Sequence, residues 1–331
     1  MKMDDLIQEF PAQLNRAIQI GEAAKLGKSK FPIRNILISG LGGSGIGGTI
    51  ISNVLRDDIS VPITVNKEYQ IPAFVNENTL VIISSYSGNT EETLSALMQA
   101  YKKSAQIVCI CSGGLIQEYA DTNDIDYILI DGGAPPRSAF GQSFVQLLYV
   151  LFHLGLIEGG FKEYLNVVIT LLEAEQEDIK AQAKEIAQKL SGKIPVIYSA
   201  AKFEGVSIRF RQQINENSKM LCWHHVVPEM NHNELVGWHE KNEKIAVVFL
   251  RNNHDFERNQ ARMEFTKEVV SKYASDVIEI YSKGDHDIIR SLYLIHLTDW
   301  VSYYLAELNG IDAIEIDVIN KLKGRLAENP L

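Results

Sequence analysis

From residue 34 onward the chain alternates short apolar runs with amphipathic stretches. RNILISG (Arg34 to Gly40), PITVNK (Pro62 to Lys67), TLVIISS (Thr79 to Ser85), QIVCICS and DYILID (Asp126 to Asp131) read as strands. TIISNVL, EETLSALMQAYKK and the strongly apolar SFVQLLYVLFHLGLI read as helices between and after them. Strands that are apolar at nearly every position have no face to offer to water. They predict a parallel sheet covered by helices on both sides. The stretch LEAEQEDIKAQAKEIAQKL, Leu172 to Leu190, breaks the pattern: it is helical in period, heavily charged and poor in apolar residues. It reads as a surface helix or an inter-domain connector.

After it the alternation restarts. KIPVIYSA (Lys193 to Ala200), KIAVVFL (Lys244 to Leu250) and DVIEIYS (Asp276 to Ser282) read as strands. FEGVSIRFRQQINENSK, the stretch from His254 to Tyr273, and DIIRSLYLIHLTDWVSYYLAEL read as helices. ILISG, VIISS and IVCIC in the first half answer VIYSA, AVVFL and VIEIY in the second, and each triplet is followed by a long apolar helix. The halves therefore read as two copies of one α/β unit, each a mainly parallel, doubly wound sheet flanked by helices. The expected division is an N-terminal helical segment over residues 1–30, a first domain over 31–158, a helical connector over 159–190, and a second domain with a C-terminal helix over 191–331. Two domains also suit a chain of 331 residues.

The copies differ where chemistry would sit. After its first strand the first copy has SGLGGSGIGG and the second SAAKFEG; after its second strand the first has SSYSGNTEET and the second RNNHDFERN. Ligands of open parallel sheets gather at the carboxyl ends of the strands, and only the first copy keeps small and hydroxyl residues there.

Composition narrows the classes. A hydrophobic fraction of 46% with 22% charged residues is that of a water-soluble protein with ample core. A formal net charge of −10 argues against a nucleic-acid surface, although a small anion reads only its local site. No apolar run approaches the roughly 20 residues of a membrane span, and the N-terminus MKMDDLIQEF has no signal-peptide pattern. Three cysteines, Cys109, Cys111 and Cys222, make no disulfide framework; Cys109 and Cys111 would point to one face of their strand, as reduced core residues or as a metal pair. A cytoplasmic protein is expected.

Gly40-x-Gly42-x-x-Gly45 between strand and helix fits a dinucleotide fingerprint, but the acidic partner is misplaced, since Asp57 and Asp58 precede the next strand instead of ending it. This glycine run carries no Gly-Lys-Ser/Thr, which argues against a nucleotide P-loop there. What remains is either a tight turn or a backbone that aims N–H groups at an anion, with Ser44 adding a hydroxyl. In SSYSGNTEET, Ser85, Ser87 and Thr90 could cap the following helix or hold an anion; capping needs one hydroxyl, and three are present. Arg137, stiffened by the two prolines of PPRSAFGQ, is either a surface arginine or a cation for a developing charge. Glu216 in NENSK and His232 in PEMNHNELVGW are candidate acid–base groups. Among His224, His225, Glu229, His232 and His239 no two histidines have the i, i+4 spacing of a helical zinc motif with its glutamate, and no cysteine joins them, so no metal is expected. Lys323, in KLKGRL, lies on the polar side of a last helical segment.

Taken together and in order, LGGSGIGG, SYSGNTEET, GGAPPRSAFG, INENSK, PEMNHNELVGW, LTDWVSYYLAELNGID and the terminal Ile319 to Lys323 segment resemble the sugar isomerase (SIS) superfamily, and within it the bifunctional phosphoglucose/phosphomannose isomerase family. The resemblance covers essentially the whole chain. It implies two SIS-type domains and aldose–ketose isomerisation of glucose-6-phosphate, mannose-6-phosphate or both with fructose-6-phosphate, through a cis-enediol(ate), with no cofactor and no metal.

By position, the resemblance assigns the phosphate to Gly43, Ser44, Ser85, Ser87 and Thr90. It makes Glu216 the base between carbons 1 and 2 and Arg137 the cation for the enediolate. It gives ring opening to Lys323, with Lys321 in an alternative register, and to His232 donated by the other subunit of a homodimer. Relatives are expected to carry Thr-Pro-Val shortly after GID, where this chain reads Ala313, Ile314, Glu315, Ile316; the difference bears on substrate preference more than on reaction type. The competing class is a SIS-domain sugar-phosphate-binding regulator. That reading predicts an appended basic helix-turn-helix, which is absent, and leaves Glu216, Arg137 and His232 without purpose.

Overall fold

A computed structural model describes residues 2–328. Two N-terminal helices, α1 (Met3–Gln8) and α2 (Phe10–Ala23), lead into a first sheet. That half runs β1 (Asn35–Ser39), α3 (Gly42–Val54), β2 (Ile63–Asn66), β3 (Thr79–Ser84), α4 (Glu91–Lys102), β4 (Gln106–Cys111), α5 (Gly114–Thr122), β5 (Asp126–Leu129) and α6 (Phe140–His153). Helices α7 (Phe161–Ala174) and α8 (Gln176–Leu190) follow. The second half runs β6 (Ile194–Ala200), α9 (Glu204–Ser218), β7 (Trp223–Val227), β8 (Asn242–Arg251), α10 (Glu257–Val270), β9 (Ala274–Tyr281), α11 (Asp287–Leu308) and α12 (Asp317–Ala327).

All strand pairs are parallel. The sheet orders are β2-β1-β3-β4-β5 and β7-β6-β8-β9, so β1, β2, β3 and β4 answer β6, β7, β8 and β9. The repeat legible in the sequence is thus a repeat of topology, with β1 and β6 at the positions where strand order reverses. Two elements escape the sequence pattern: the short helix α5, and the edge strand β7, whose WHHVV is polar on both faces.

Alternate residues of each buried strand serve different cores. Ile36, Ile38, Leu80 and Ile82 face a central helical layer, whereas Leu37, Val81, Ile83, Cys109 and Cys111 face the outer layer that includes α4 and α5. In the second half Ile197, Ala246 and Val248 face the same central layer, and Val196, Tyr198, Val247 and Phe249 face α10. Helices α3, α6, α9 and α11 therefore lie between the two sheets and belong to one continuous core. A doubly covered strand can be apolar throughout, and this is why the aliphatic runs appeared unbroken.

The charged stretch Leu172 to Leu190 is not one helix: α7 ends at Ala174 and α8 begins at Gln176. Nor is it only a connector, because Ile179, Ala183, Ile186, Ala187 and Leu190 of α8 are buried in the central core, packed against α11. Its few apolar residues form a single stripe, the minimum that one buried helix face needs. Cys109 and Cys111 are fully buried thiols on one face of β4. No helix among the described residues is long and apolar enough to cross a membrane.

Candidate functional site

The first structural surprise is in the glycine run. SGLGGSGIGG is not a loop before a helix at TIISNVL; α3 already begins at Gly42. Glycine is needed there for close approach rather than for flexibility. A Cβ on Gly43 would stand 3.0 Å from the Pro136 carbonyl oxygen and 3.2 Å from Arg137 Cα, and one on Gly45 would collide with the Gly40 carbonyl. The start of α3 is thus pressed against the backbone that carries Arg137.

The second loop is tied to the first. Ser44 Oγ, buried in the first turn of α3, accepts a hydrogen bond from the Tyr86 amide at 3.0 Å. Tyr86, which the sequence reading passed over, gathers the surrounding loops: its hydroxyl accepts from the Ala134 amide at 2.9 Å and its carbonyl accepts from Ser112 Oγ at 2.7 Å. Its only sequence signal is an aromatic ring set among hydroxyls.

Thr90 stands at the N-cap position of α4 but its side chain does not cap the helix. Its hydroxyl instead pairs with Ser85 Oγ at 2.9 Å, while Ser87 Oγ accepts from the Asn89 amide at 3.3 Å. The capping alternative is therefore set aside on geometry. Two helix N-termini, those of α3 and α4, open at the carboxyl ends of adjacent strands β1 and β3, with Gly43, Ser44, Ser85, Ser87 and Thr90 around them. Free N–H groups, helix dipoles and hydroxyl donors at one end of the sheet suit an anion.

Arg137 closes this side. It sits in a short 3₁₀ turn, Pro136–Ala139, and is only 3% exposed, which overturns the surface-arginine alternative. Its Nε donates to Asn217 Oδ1 at 2.7 Å, and one terminal nitrogen donates to the carbonyls of Ala313, at 2.5 Å, and Ile314, at 3.2 Å. The other terminal nitrogen lies 3.4 Å from the carboxylate of Glu216. Burial disfavours the charge on Arg137, and Glu216 works in the opposite direction. Glu216 is in the last turn of α9, so the carboxylate comes from the second half of the chain and the guanidinium from the first.

Lys219, in the left-handed conformation that ends α9, donates to the Glu216 carbonyl at 2.7 Å and to the Asp312 carbonyl at 3.0 Å. Its ammonium is pushed below the usual lysine range by burial, with Glu315 countering and Arg137 assisting. Asn217 and Lys219 were inside the NENSK motif, but only its glutamate had been singled out. The Ala313–Ile314 departure contributes through main-chain carbonyls, which any residue supplies.

Two expected residues form no side-chain hydrogen bond or ion pair with this group among the described residues. His232 ends a short 3₁₀ turn, Glu229–His232, and is exposed. Its loop is pinned on both sides: Met230 is buried, Asn231 Nδ2 donates to Thr266 Oγ1 at 2.8 Å, and Tyr198 hydroxyl donates to Glu234. His232 is thereby held outward. Lys323 and Lys321 are exposed on α12, a helix with no buried residue, whose Val318, Leu322 and Leu326 face solvent. Among the described residues no three His, Cys, Asp or Glu side chains gather as a metal-binding group.

Comparison with known proteins bears on this arrangement. Residues 179–326 match the bacterial phospho-glucose isomerase C-terminal SIS domain, and residues 31–128 match the SIS domain. The chain is 38% identical to the bifunctional phosphoglucose/phosphomannose isomerase of Caldicellulosiruptor bescii, over 98% of this chain and 99% of that protein. It is 34% identical to the protein of the same name from Aquifex aeolicus, over 92% and 94%. Its fold superimposes on the C-terminal domain of glucosamine-fructose-6-phosphate aminotransferase from Francisella tularensis with a TM-score of 0.76 at 17% identity, covering 95% and 98% of the two chains. With both halves matched and full-length relatives above the identity at which kinship is secure, the chain, a phosphosugar isomerase built on two parallel sheets, belongs to the bifunctional phosphoglucose/phosphomannose isomerase family.

Proposed function

We propose that this protein interconverts glucose-6-phosphate and mannose-6-phosphate with fructose-6-phosphate by moving one proton between carbons 1 and 2. The carrying observation is the Arg137–Glu216 pair, 3.4 Å apart, with the Arg137 backbone close against Gly43 at the start of α3. The phosphate is anchored by Gly43, Ser44, Ser85, Ser87 and Thr90, which fixes the sugar chain without touching the reacting carbons. Glu216, about a quarter exposed, takes the proton from carbon 2 of an open-chain aldose and returns it to carbon 1, while the hydroxyl proton on O2 passes to O1. Arg137 faces the negative charge that develops on the enediolate oxygens, where a buried, preoriented guanidinium is worth most. Two aldoses that differ only at carbon 2 pass through the same planar intermediate, so one base can serve both. The scheme uses no metal or cofactor.

Ring opening is assigned to Lys323 and to His232 of a second copy in a homodimer. The outward pinning of the 229–238 loop and the uncovered apolar residues of α12 support that assembly.

The test is a coupled assay for each aldose phosphate against fructose-6-phosphate, with and without a chelator. Turnover of both, unchanged by chelation, is expected. Turnover of one aldose alone would narrow the substrate range, and turnover abolished by chelator would contradict the metal-free scheme.

A further inference from the structure

Helix α9 carries a buried polar stripe that the scheme above does not use. Arg209 is 2% exposed and Gln213 2%, and Asn217 is fully buried, at spacings of four residues that put them on one face. Such a stripe in the central layer between two sheets is costly unless each group is paired. Arg209 has its face over the Phe140 ring, 4.4 Å from the centroid, and donates through one terminal nitrogen to two acceptors. These are Asp299 Oδ2 of α11 at 2.6 Å and the main-chain carbonyl of Arg137 at 3.1 Å.

Asp299, on α11, is itself buried. The same two helices grip the other end of Arg137. Asn217 accepts from its Nε, and Asn217 Nδ2 donates to Ser302 Oγ at 2.9 Å, while Ser302 Oγ donates to the Asp299 carbonyl at 2.7 Å. Arg137 is therefore held at its backbone by Arg209 and at its guanidinium by Asn217 and Glu216, all from α9, and α11 braces both.

Resting on the proposed reaction, we infer that the buried Arg209–Asp299 pair positions Arg137. It fixes the backbone of a residue from the first half so that its side chain meets Glu216 from the second. The 3₁₀ turn around Arg137 is only four residues long and follows a proline, so its own hydrogen bonds define it weakly. Without the Arg209 donor the Arg137 carbonyl is an orphaned buried acceptor, and the turn shifts to solvate it. A displacement of the order of 1 Å at a charge-stabilising group costs about 10²-fold in rate. Ser85, Ser87 and Thr90, on the turn between β3 and α4, lie outside the backbone that shifts.

The test replaces the pair with apolar groups of similar shape, Arg209→Met with Asp299→Leu, and separately makes Arg209→Lys. A buried ion pair exchanged for packed hydrophobes is often neutral or stabilising, so the paired variant discriminates between a tie and a positioner. In both variants cooperative unfolding should persist, kcat should fall about 10- to 100-fold, and KM should stay within about threefold. Wild-type kcat in the folded paired variant would overturn the inference. So would a raised KM at unchanged kcat, which would place the effect on the phosphate contacts, or loss of folding in both variants, which would make the pair a structural tie. A wild-type protein inactive on all three sugar phosphates would instead overturn the reaction on which the inference rests.

Discussion

Ser85 and Thr90 pair with each other and do not cap α4, which is the local geometry behind the proposed phosphate anchor. Their Oγ atoms are 2.9 Å apart and leave the amides at the start of α4 without a side-chain acceptor. A hydroxyl donating to a charged oxygen contributes roughly 1.5–3 kcal/mol. Ser85→Ala should therefore raise KM for the sugar phosphates about 10- to 100-fold with a smaller change in kcat, as initial-rate kinetics would show. An unchanged KM would remove Ser85 from the anchor. That α4 is not capped by these side chains was legible in the sequence as a surplus, since three hydroxyls exceed what a cap requires. Tyr86, Asn217 and Lys219 were not legible, because each acts through a partner distant in sequence: Ala134 for Tyr86, Arg137 for Asn217, and Asp312 for Lys219.

At the scale of elements, the sequence pattern recovered the strands with a run of apolar residues, edge strands β2, β5 and β9 included, and missed β7. The central strands β1, β3, β6 and β8 were plain as aliphatic runs, while β7, an edge strand with two histidines, carried no alternation to read. Helix α11 was equally plain, yet its apolar sequence conceals a titrating group. His296 is buried beside Phe10 and Trp300, with Nε2 3.1 Å from Gln176 Oε1. Burial lowers its pKa from 6.5 to about 3, with Lys180 adding to the shift.

A histidine held neutral in the folded chain but free to protonate when unfolded loses stability as pH drops below the unfolded value. The loss is absent at pH 7.5 and reaches about 2 kcal/mol at pH 5, from about 1.4 kcal/mol per pH unit. Urea unfolding should show this slope in the wild type and a slope shallower by that amount in His296→Gln. Equal slopes would show that His296 does not titrate this way.

Over the whole molecule, the two halves share a central layer of helices, and the site depends on that sharing. The first half keeps glycines and hydroxyls at its strand ends, and the proposed base is not in it. The second half has lost them and supplies Glu216 from the far end of α9, which packs along α3. The sequence showed the asymmetry of the repeats, but not that α9 delivers its last turn to Arg137. That meeting depends on helix packing between sheets, which no local pattern encodes.

The central claim is that this meeting makes the base, and Glu216→Gln tests it most directly because it preserves shape and removes only the proton acceptor. Turnover of fructose-6-phosphate to either aldose phosphate should fall at least about 10²-fold while the affinity for the sugar phosphate stays near that of the wild type. Wild-type turnover in the Glu216→Gln protein would contradict the account.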